Sequence, residues 1–422
     1  MGTAVRGQPR GGGGALMRDE WRDETSMAKP PATPGSRPPL QTWITAAIVL
    51  AGFGVGSVMA RDAMTSAVLF IAIMLGVVMV HETGHFLTAK AFGVRVHEFA
   101  FGFPPRIFAK RIGETEYAVN WLPLGGYVRL EGEEDASSPR SLAAKPRWQR
   151  LIVLTSGALV NLVLPVVLLS VALMIPHQED EGHAKITGVA SNTPAEAAGL
   201  REGDVILRVG SHDAKNLAEA SRLVRIYQGK TVDITVRRAG EQVTVPVYAR
   251  WAPPAGQGPT GISIAPESVN PVDGRPYTVT VSEPPWEAIP NGAVMTWQTL
   301  ILARNEVVGW VKGTARPQFQ GPVGIAQTTG EVARSSETTA GAISPLLELA
   351  ALLSINLGIL NLLPLPMLDG GRVLFVLIEY ARGGRKVRPE REALVHMVGL
   401  AAFLLLAVVV TFADISRIVN GG

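Results

Sequence analysis

The sequence predicts a polytopic α-helical membrane protein with four or five transmembrane helices, a β-hairpin region and one extracytoplasmic α/β module. Three observations predict it. Several apolar stretches approach the roughly 20 residues that a bilayer-spanning helix needs. The 422 residues are 47% hydrophobic and only 18% charged, and the mean hydropathy is positive. Between two of the stretches lies a long segment with the alternation and turn residues of a mixed α/β module.

A chain of this length allows two or three domains. Its formal net charge of +3 and the lack of a basic patch with interleaved aromatics speak against a nucleic-acid partner. Zero cysteines exclude disulfides and thiolate ligands, so any metal must take nitrogen and oxygen donors. Residues 1–41 are rich in Gly, Pro and Arg and read as a disordered tail, with Met17 and Met27 as alternative starts. The tail lacks the cleavage site of a signal peptide.

Five apolar stretches follow: Trp43–Ala60, Ala67–Ala91, Leu151–Ile175, Leu346–Leu363 and Ala393–Phe412. The first, within an extra helix expected over 42–62, is broken by Gly52, Gly54 and Gly56. The others define helices expected over 66–92, 150–176, 346–381 and 392–413, with a cytoplasmic-side hairpin region at 93–149. Val373–Tyr380 is apolar but too short to cross alone. Lys145, Arg147 and Arg150 precede the third stretch, and Arg382, Arg385, Lys386, Arg388 and Arg391 precede the last. Pro176–Ala184 and Ser335–Pro345 carry no Lys or Arg. The positive-inside rule therefore puts the hairpin region inside and the central segment outside.

Within that segment, residues 185–250 read as the α/β module. A short helix begins near Thr193 and closes at Gly199, and the strand Val205–Val209 follows. Leu217–Gln228 reads as a helix, and Thr231–Arg237 with Gln242–Tyr248 as a hairpin turned at Ala239-Gly240. The stretch from Thr193 to Asp204 resembles a PDZ domain of the permuted bacterial type, which holds a peptide by strand addition or serves as a steric plug. Residues 251–345 form a connector with some strand character and an amphipathic helix, Trp286–Gly313, near the membrane surface.

The chemistry begins at His81-Glu82-Thr83-Gly84-His85. On a helix the two histidines fall at i and i+4, one turn apart on one face. That spacing lets two imidazoles reach one zinc ion, with Glu82 beside it as general base. The run Ala67–Val80 before it carries no charge, and ionisable groups at membrane depth are functional candidates by default. Two histidines merely satisfying backbone carbonyls would leave Glu82 unexplained. A catalytic zinc takes a third protein ligand. Asn356 to Gly371 offers one, because a span there ends in Pro364 and Pro366 and Asp369 follows with two glycines. A broken helix at membrane depth must line a cavity or pack against protein.

With these motifs the chain resembles the site-2 proteases, zinc intramembrane metalloproteases, and specifically their bacterial PDZ-bearing branch. HETGH at 81–85, Phe92–Pro104 with Leu122–Arg129, Gly321–Ala326 and the NLLPLPMLDGG stretch ending at Gly371 carry the resemblance. It implies Zn²⁺ held by His81, His85 and Asp369, with Glu82 activating water. It implies that Asn356, Asn361, Pro364 and Pro366 line the substrate channel. It matches Asn161 to an asparagine that holds an unwound substrate backbone; a plain interhelical hydrogen bond is the alternative. Ala158 stands where the family often has proline, and the stretch before the metal-bearing helix is an addition to this branch.

The resemblance further implies a membrane-dipping sheet over Val94–Leu130 whose open edge receives an extended substrate; a hairpin that only stabilises the fold is the alternative. It also implies residence in the bacterial inner membrane, with lipid and single-pass membrane proteins as partners. An anti-sigma factor or a remnant signal peptide would be the substrate. A non-catalytic scaffold binding envelope proteins is the competing expectation. His97, His177, His183, His212 and His396 lack ligand-like spacing and read as structural.

Overall fold

The computed structural model describes residues 61–420 apart from 134, 135, 137, 255, 272, 273, 315–319 and 337. The extra stretch Trp43–Ala60 lies outside the described residues. Among them, four helices are long and apolar enough to cross a membrane: Arg61–Ala91, Arg147–Met174, Ile343–Leu362 and Glu390–Ile418. They belong to α1 (Arg61–Ala91), α2 (Arg147–Met174), α7 (Thr339–Leu362) and α9 (Pro389–Val419). Helix α1 includes Arg61 and Asp62, ahead of the start expected at 66. The last helix runs on to Val419, beyond the end expected at 413, and Asp414 on it is buried.

Two long strands follow α1. Strand β1 (Val96–Ile112) pairs antiparallel with β2 (Thr115–Leu130). Each folds back on itself, because Phe99 pairs with both Val128 and Tyr117 while Ala109 pairs with Ala118. Residues 96–101 therefore lie between 126–130 on one side and 115–119 on the other, with 106–112 beyond. The fold-back occurs around Gly102, at φ +76°. A Cβ there would sit 3.2 Å from the Asn120 carbonyl, so glycine is required by conformation and space alike. Buried Glu98 gathers Arg106 (2.6 Å), Arg129 (3.3 Å) and the Tyr127 hydroxyl (2.9 Å). At the other end, Arg140 and Lys90 bracket Glu114 and hold its carboxyl down at about 2, tying the turn to the end of α1.

Helix α2 leads into the β module. Strands β4 (Ala184–Val189), β5 (Val205–Val209), β7 (Thr231–Arg238), β8 (Glu241–Tyr248) and β9 (Ile262–Pro266) form a sheet of order β8-β7-β5-β4-β9. The short β6 (His212–Asp213) pairs with β5, and β3 (His177–Asp180) pairs with β10 (Thr278–Val281) beside it. The β7–β8 turn has positive φ at Ala239 and Gly240, the conformation a tight hairpin demands. Strand β9 lies in the stretch expected to be connector, so the sheet extends beyond residue 250. Its reason is the unpaired side of β4, which β9 covers.

Short helix α3 (Pro194–Ala197) is capped by Thr193, and α4 (Leu217–Ile226) by Asn216. Leu223, Val224 and Ile226 of α4 close the module's core over Ile186, Ile206, Ile234 and Val236. The helix expected near the membrane surface is α5 (Pro285–Val311). It packs along α2, where a Cβ on Gly292 would lie 2.8 Å from Ser170 N, so the two backbones meet. Ile301 and Leu302 continue onto the module's core, and Asn305 Nδ2 donates to the Arg225 and Ile226 carbonyls at 3.0 and 3.2 Å, capping α4. Helix α5 thus bridges a span and the module.

Helix α6 (Pro322–Arg334) packs on α1. Its first-turn Gly324 N–H donates to Asp414 at 2.8 Å, and Gly321 and Gly324 leave the room that this carboxylate occupies. The segment expected as one element over 346–381 is two: α7 stops at Leu362, and α8 (Asp369–Ala381) follows after a proline-rich turn. A second core of Ala89, Val94, Val96, Leu130, Val153, Leu154 and Val376 joins α1, both long strands, α2 and α8.

Asp204, buried between β5 and α3, gives a pH-dependent test. Burial pushes its carboxyl up, but the Arg238 guanidinium (2.6 and 2.7 Å) and the Arg201 N–H (2.9 Å) outweigh that and hold it below the usual carboxylate range. A depressed folded value stabilises above the unfolded pKa of about 3.9, and this is lost as pH falls through the folded value. Asp204→Asn should cost the module about 1–3 kcal/mol at pH 7. Amide exchange of β5 and β7 in the full chain should show the difference, and it should shrink below about pH 4.

Candidate metal centre

Helix α1 presents His81 and His85 on one face, both buried. Their Nε2 atoms are 3.1 Å apart. The Asp369 carboxylate Oδ2 lies 3.0 Å from His81 Nε2 and 3.1 Å from His85 Nε2. Asp369 is the first residue of α8, so residues far apart in the sequence meet here. Among the described residues these three form a group whose donor atoms all lie within 4.8 Å of one another.

Two imidazoles and a carboxylate converging at such distances have the spacing of ligands around one cation. Two ligands about 2.05 Å from a tetrahedral zinc keep roughly 3.3 Å between them. The observed triangle is within a few tenths of an ångström of that. The donor set, two imidazole nitrogens and one carboxylate oxygen, suits zinc.

The triangle depends on the close approach of α1 and α2. A Cβ on Gly84 would lie 2.8 Å from the Ser156 carbonyl. A Cβ on Gly157 would strike His85 Nε2 and sit 2.8 Å from His81 Nε2, in the space the three donors share. Thr88 Oγ1 and Ser156 Oγ are linked at 2.9 Å across the same seam. Both imidazoles are tied back to α2 by their other nitrogens. His85 Nδ1 donates to the Val153 carbonyl at 2.7 Å, and His81 Nδ1 lies 3.3 Å from the Asn161 amide.

Asp369 is set by the turn before it. Met367 adopts φ +73°, and its N–H donates to His396 Nδ1 at 2.8 Å, which gives His396 its structural part. Gly370 and Gly371 pack against the carbonyls of Leu363 and Leu365, where any Cβ would collide. Arg150 of α2 holds Glu379 of α8 at 2.6 Å in a largely buried pair, and Arg372 pairs with Glu133. Glu82, in the same turn of α1, accepts from the Val128 N–H at 3.0 Å. The outer strand of the sheet thereby stands directly beside the donors.

The other expected residues are less tightly gathered. Asn161 is fully buried against His81. Asn361 is buried, Pro366 half-buried, and Asn356 and Pro364 are exposed. None of these last four bonds to the three donors. Gly157, Ser156 and the Val128 N–H were missed by sequence reasoning; the small-residue run Ser156-Gly157-Ala158 inside a span was the available signal. His97 sits in β1 about 4.0 Å from Glu131, with burial and then Arg129 and Arg95 lowering its pKa, away from the donors. A cavity of about 570 Å³, lined by Leu169, Arg222, Met295, Glu331 and Glu348, shares no residue with the donor group.

The model of peptidase family M50 matches residues 69–406. The chain belongs to that family. Zinc metalloprotease RasP of Oceanobacillus iheyensis is 29% identical, with 84% of this chain aligned to 100% of the relative. RasP of Geobacillus kaustophilus is 29% identical, over 84% and 99%. A relative in Clostridium perfringens, also named for zinc metalloprotease activity, is 32% identical, over 80% and 95%. This M50 chain is therefore a zinc metalloprotease of the site-2 protease family and a membrane protein.

Gly157→Ala should cost the purified M50 chain most of its bound metal while leaving its helix content unchanged. Metal analysis beside circular dichroism checks this, and metal retained at the parent level would show that the site accommodates a Cβ.

Proposed function

We propose that this chain is an intramembrane zinc endopeptidase that cuts transmembrane segments of single-pass membrane proteins. The single observation that carries the reading is the convergence of His81, His85 and Asp369 within an apolar bundle. In this reading the three residues hold the zinc, and Glu82 is the catalytic base. Zinc bound there supplies a Lewis acid that acidifies water towards pKa 7 and polarises a carbonyl. The Glu82 carboxylate takes the proton of the attacking water and returns it to the leaving amine nitrogen. Its bond to the Val128 N–H aims it and keeps it on the sheet side of the donors.

A transmembrane helix hides its own peptide bonds, so its hydrolysis requires an extended backbone. Residues 126–130 are one of the two outer runs of the sheet and lie beside Glu82, which favours capture of the substrate by strand pairing there. Exposed Phe103, Ile107 and Phe108 at the fold-back support a sheet that dips into the membrane. Asn356, Asn361, Pro364 and Pro366, on the interrupted segment leading to Asp369, would line the channel. The module from Ala184 to Pro266 reads as PDZ-like: its short helix and glycine turns match that pattern, and edge strand β9 has one unpaired side. It would filter substrates by size, admitting those already trimmed, such as an anti-sigma factor or a remnant signal peptide.

The roughly 20 residues from Arg61 to His81 rise about 30 Å, while His85 is only about 9 Å from the end of α1. On α2, Gly157 stands about 26 Å from the end that enters the β module. With the Lys/Arg asymmetry, this favours a site near the cytoplasmic face of the bacterial inner membrane and a module outside. The intact donor group favours this reading over a non-catalytic scaffold.

Glu82→Gln should lower cleavage of a model transmembrane substrate by at least about 10²-fold while zinc content stays near one per chain. Persistent cleavage in that variant would remove Glu82 from the mechanism. Single cysteines placed in this cysteine-free chain should react with an impermeant reagent on whole cells at Asp213 but not at Ser138. The opposite pattern would invert the topology.

A further inference from the structure

The two histidines differ in how their second nitrogens are held. His85 Nδ1 has a carbonyl, Val153 O, which can only accept, so its proton is on Nδ1 and its Nε2 lone pair faces the other donors. His81 Nδ1 has the side chain of Asn161 at 3.3 Å. As placed, the amide Nδ2 faces the ring and Oδ1 has no partner among the described residues. A neutral imidazole that gives its Nε2 lone pair to a metal carries its proton on Nδ1 and needs an acceptor there. The two ends of an amide are interchangeable in shape. Turning the Asn161 amide brings Oδ1 onto the ring, and the position Oδ1 leaves held no hydrogen bond among the described residues.

The backbone around Asn161 is built to hold it. Pro165 lies inside α2, four residues on, and cannot supply the N–H that would normally bond the Asn161 carbonyl. The hydroxyl of fully buried Ser354 on α7 donates to that carbonyl instead, at 2.8 Å. One turn further along α7, Gly358 allows the approach, since a Cβ there would lie 3.0 Å from the Ala158 carbonyl. Helix α7 thereby replaces a missing helical bond at the residue that reaches His81 Nδ1.

We infer that Asn161 is a positioning residue for the metal centre: its side-chain oxygen accepts from His81 Nδ1–H, fixing that ring's tautomer and angle, with Pro165 and Ser354 fixing Asn161. The assignment differs from a substrate-holding part for this asparagine and rests on His81 being a zinc ligand. Acceptors of this kind are worth about 10–100-fold in metal affinity.

Zinc affinity of the full chain, purified in detergent and read by competition with graded chelator, tests it. Asn161→Ala should bind zinc about 10–100-fold more weakly, and Asn161→Asp, still an acceptor, should stay within about threefold of the parent. Ser354→Ala, which keeps the amide but frees its backbone, should weaken zinc binding severalfold and serves if Asn161→Ala fails to fold. His81→Ala checks the premise separately and should lose the metal altogether. If His81→Ala loses zinc while Asn161→Ala binds it as tightly as the parent and only raises KM, Asn161 acts on substrate and the inference fails. Equal losses in Asn161→Asp and Asn161→Ala would also overturn it. Zinc kept by His81→Ala would instead overturn the ligand assignment beneath it.

Discussion

The contact of α1 with α2 at Gly84, Ser156 and Gly157 is the constraint on which the rest of the metal centre depends. No hydrophobic effect pulls two apolar helices together within lipid, so their association rests on close packing and internal hydrogen bonds. Here the packing has a chemical purpose. Two imidazoles share one face of α1, and α2 must come near enough to hold their outer nitrogens while leaving the inner ones open. Glycine at 157 is the only residue without a side chain that would fill that space.

With those two helices fixed, the third donor has to be brought in from the far end of the chain. A carboxylate on a flexible loop would be a poor ligand, because ordering it would oppose binding. The proline-rich turn, the His396 bond and the tight glycine contacts hold α8 where its first residue faces the histidines. The pairs Arg150–Glu379 and Arg372–Glu133 fasten α8 to α2 and to the segment before it. Removing Glu379 would leave the buried Arg150 charge uncompensated, which is typically far costlier than losing the pair whole.

The sheet and the module attach to this frame from opposite ends. The sheet reaches the centre through Val128, whose N–H donates to Glu82. The module reaches α2 through α5, whose Asn305 caps α4 and whose Gly292 meets Ser170. A continuous path of packed helices therefore runs from the module to the helix that carries Asn161.

Much of this was legible in the sequence. Helical periodicity and span length gave the apolar helices, and the i, i+4 spacing gave the histidine pair and Glu82. Alternation and Gly turns gave β5, α4 and the β7–β8 hairpin almost to the residue. These are local properties, decided by side chains a few positions apart. The sequence could not show that β9 completes the sheet, that α5 leans on a span and the module, or that Asp414 is buried against Gly324. Those depend on which unpaired edge or open face lies nearby. Asp369 stood between: its proline-broken setting marked it, but only the folded bundle puts its oxygen 3.0 Å from His81. Asn161 shows the limit most plainly. Its type and position were readable, yet its partner was decided by a crossing of two helices, because hydrogen bonds are chosen by distance in space and not along the chain.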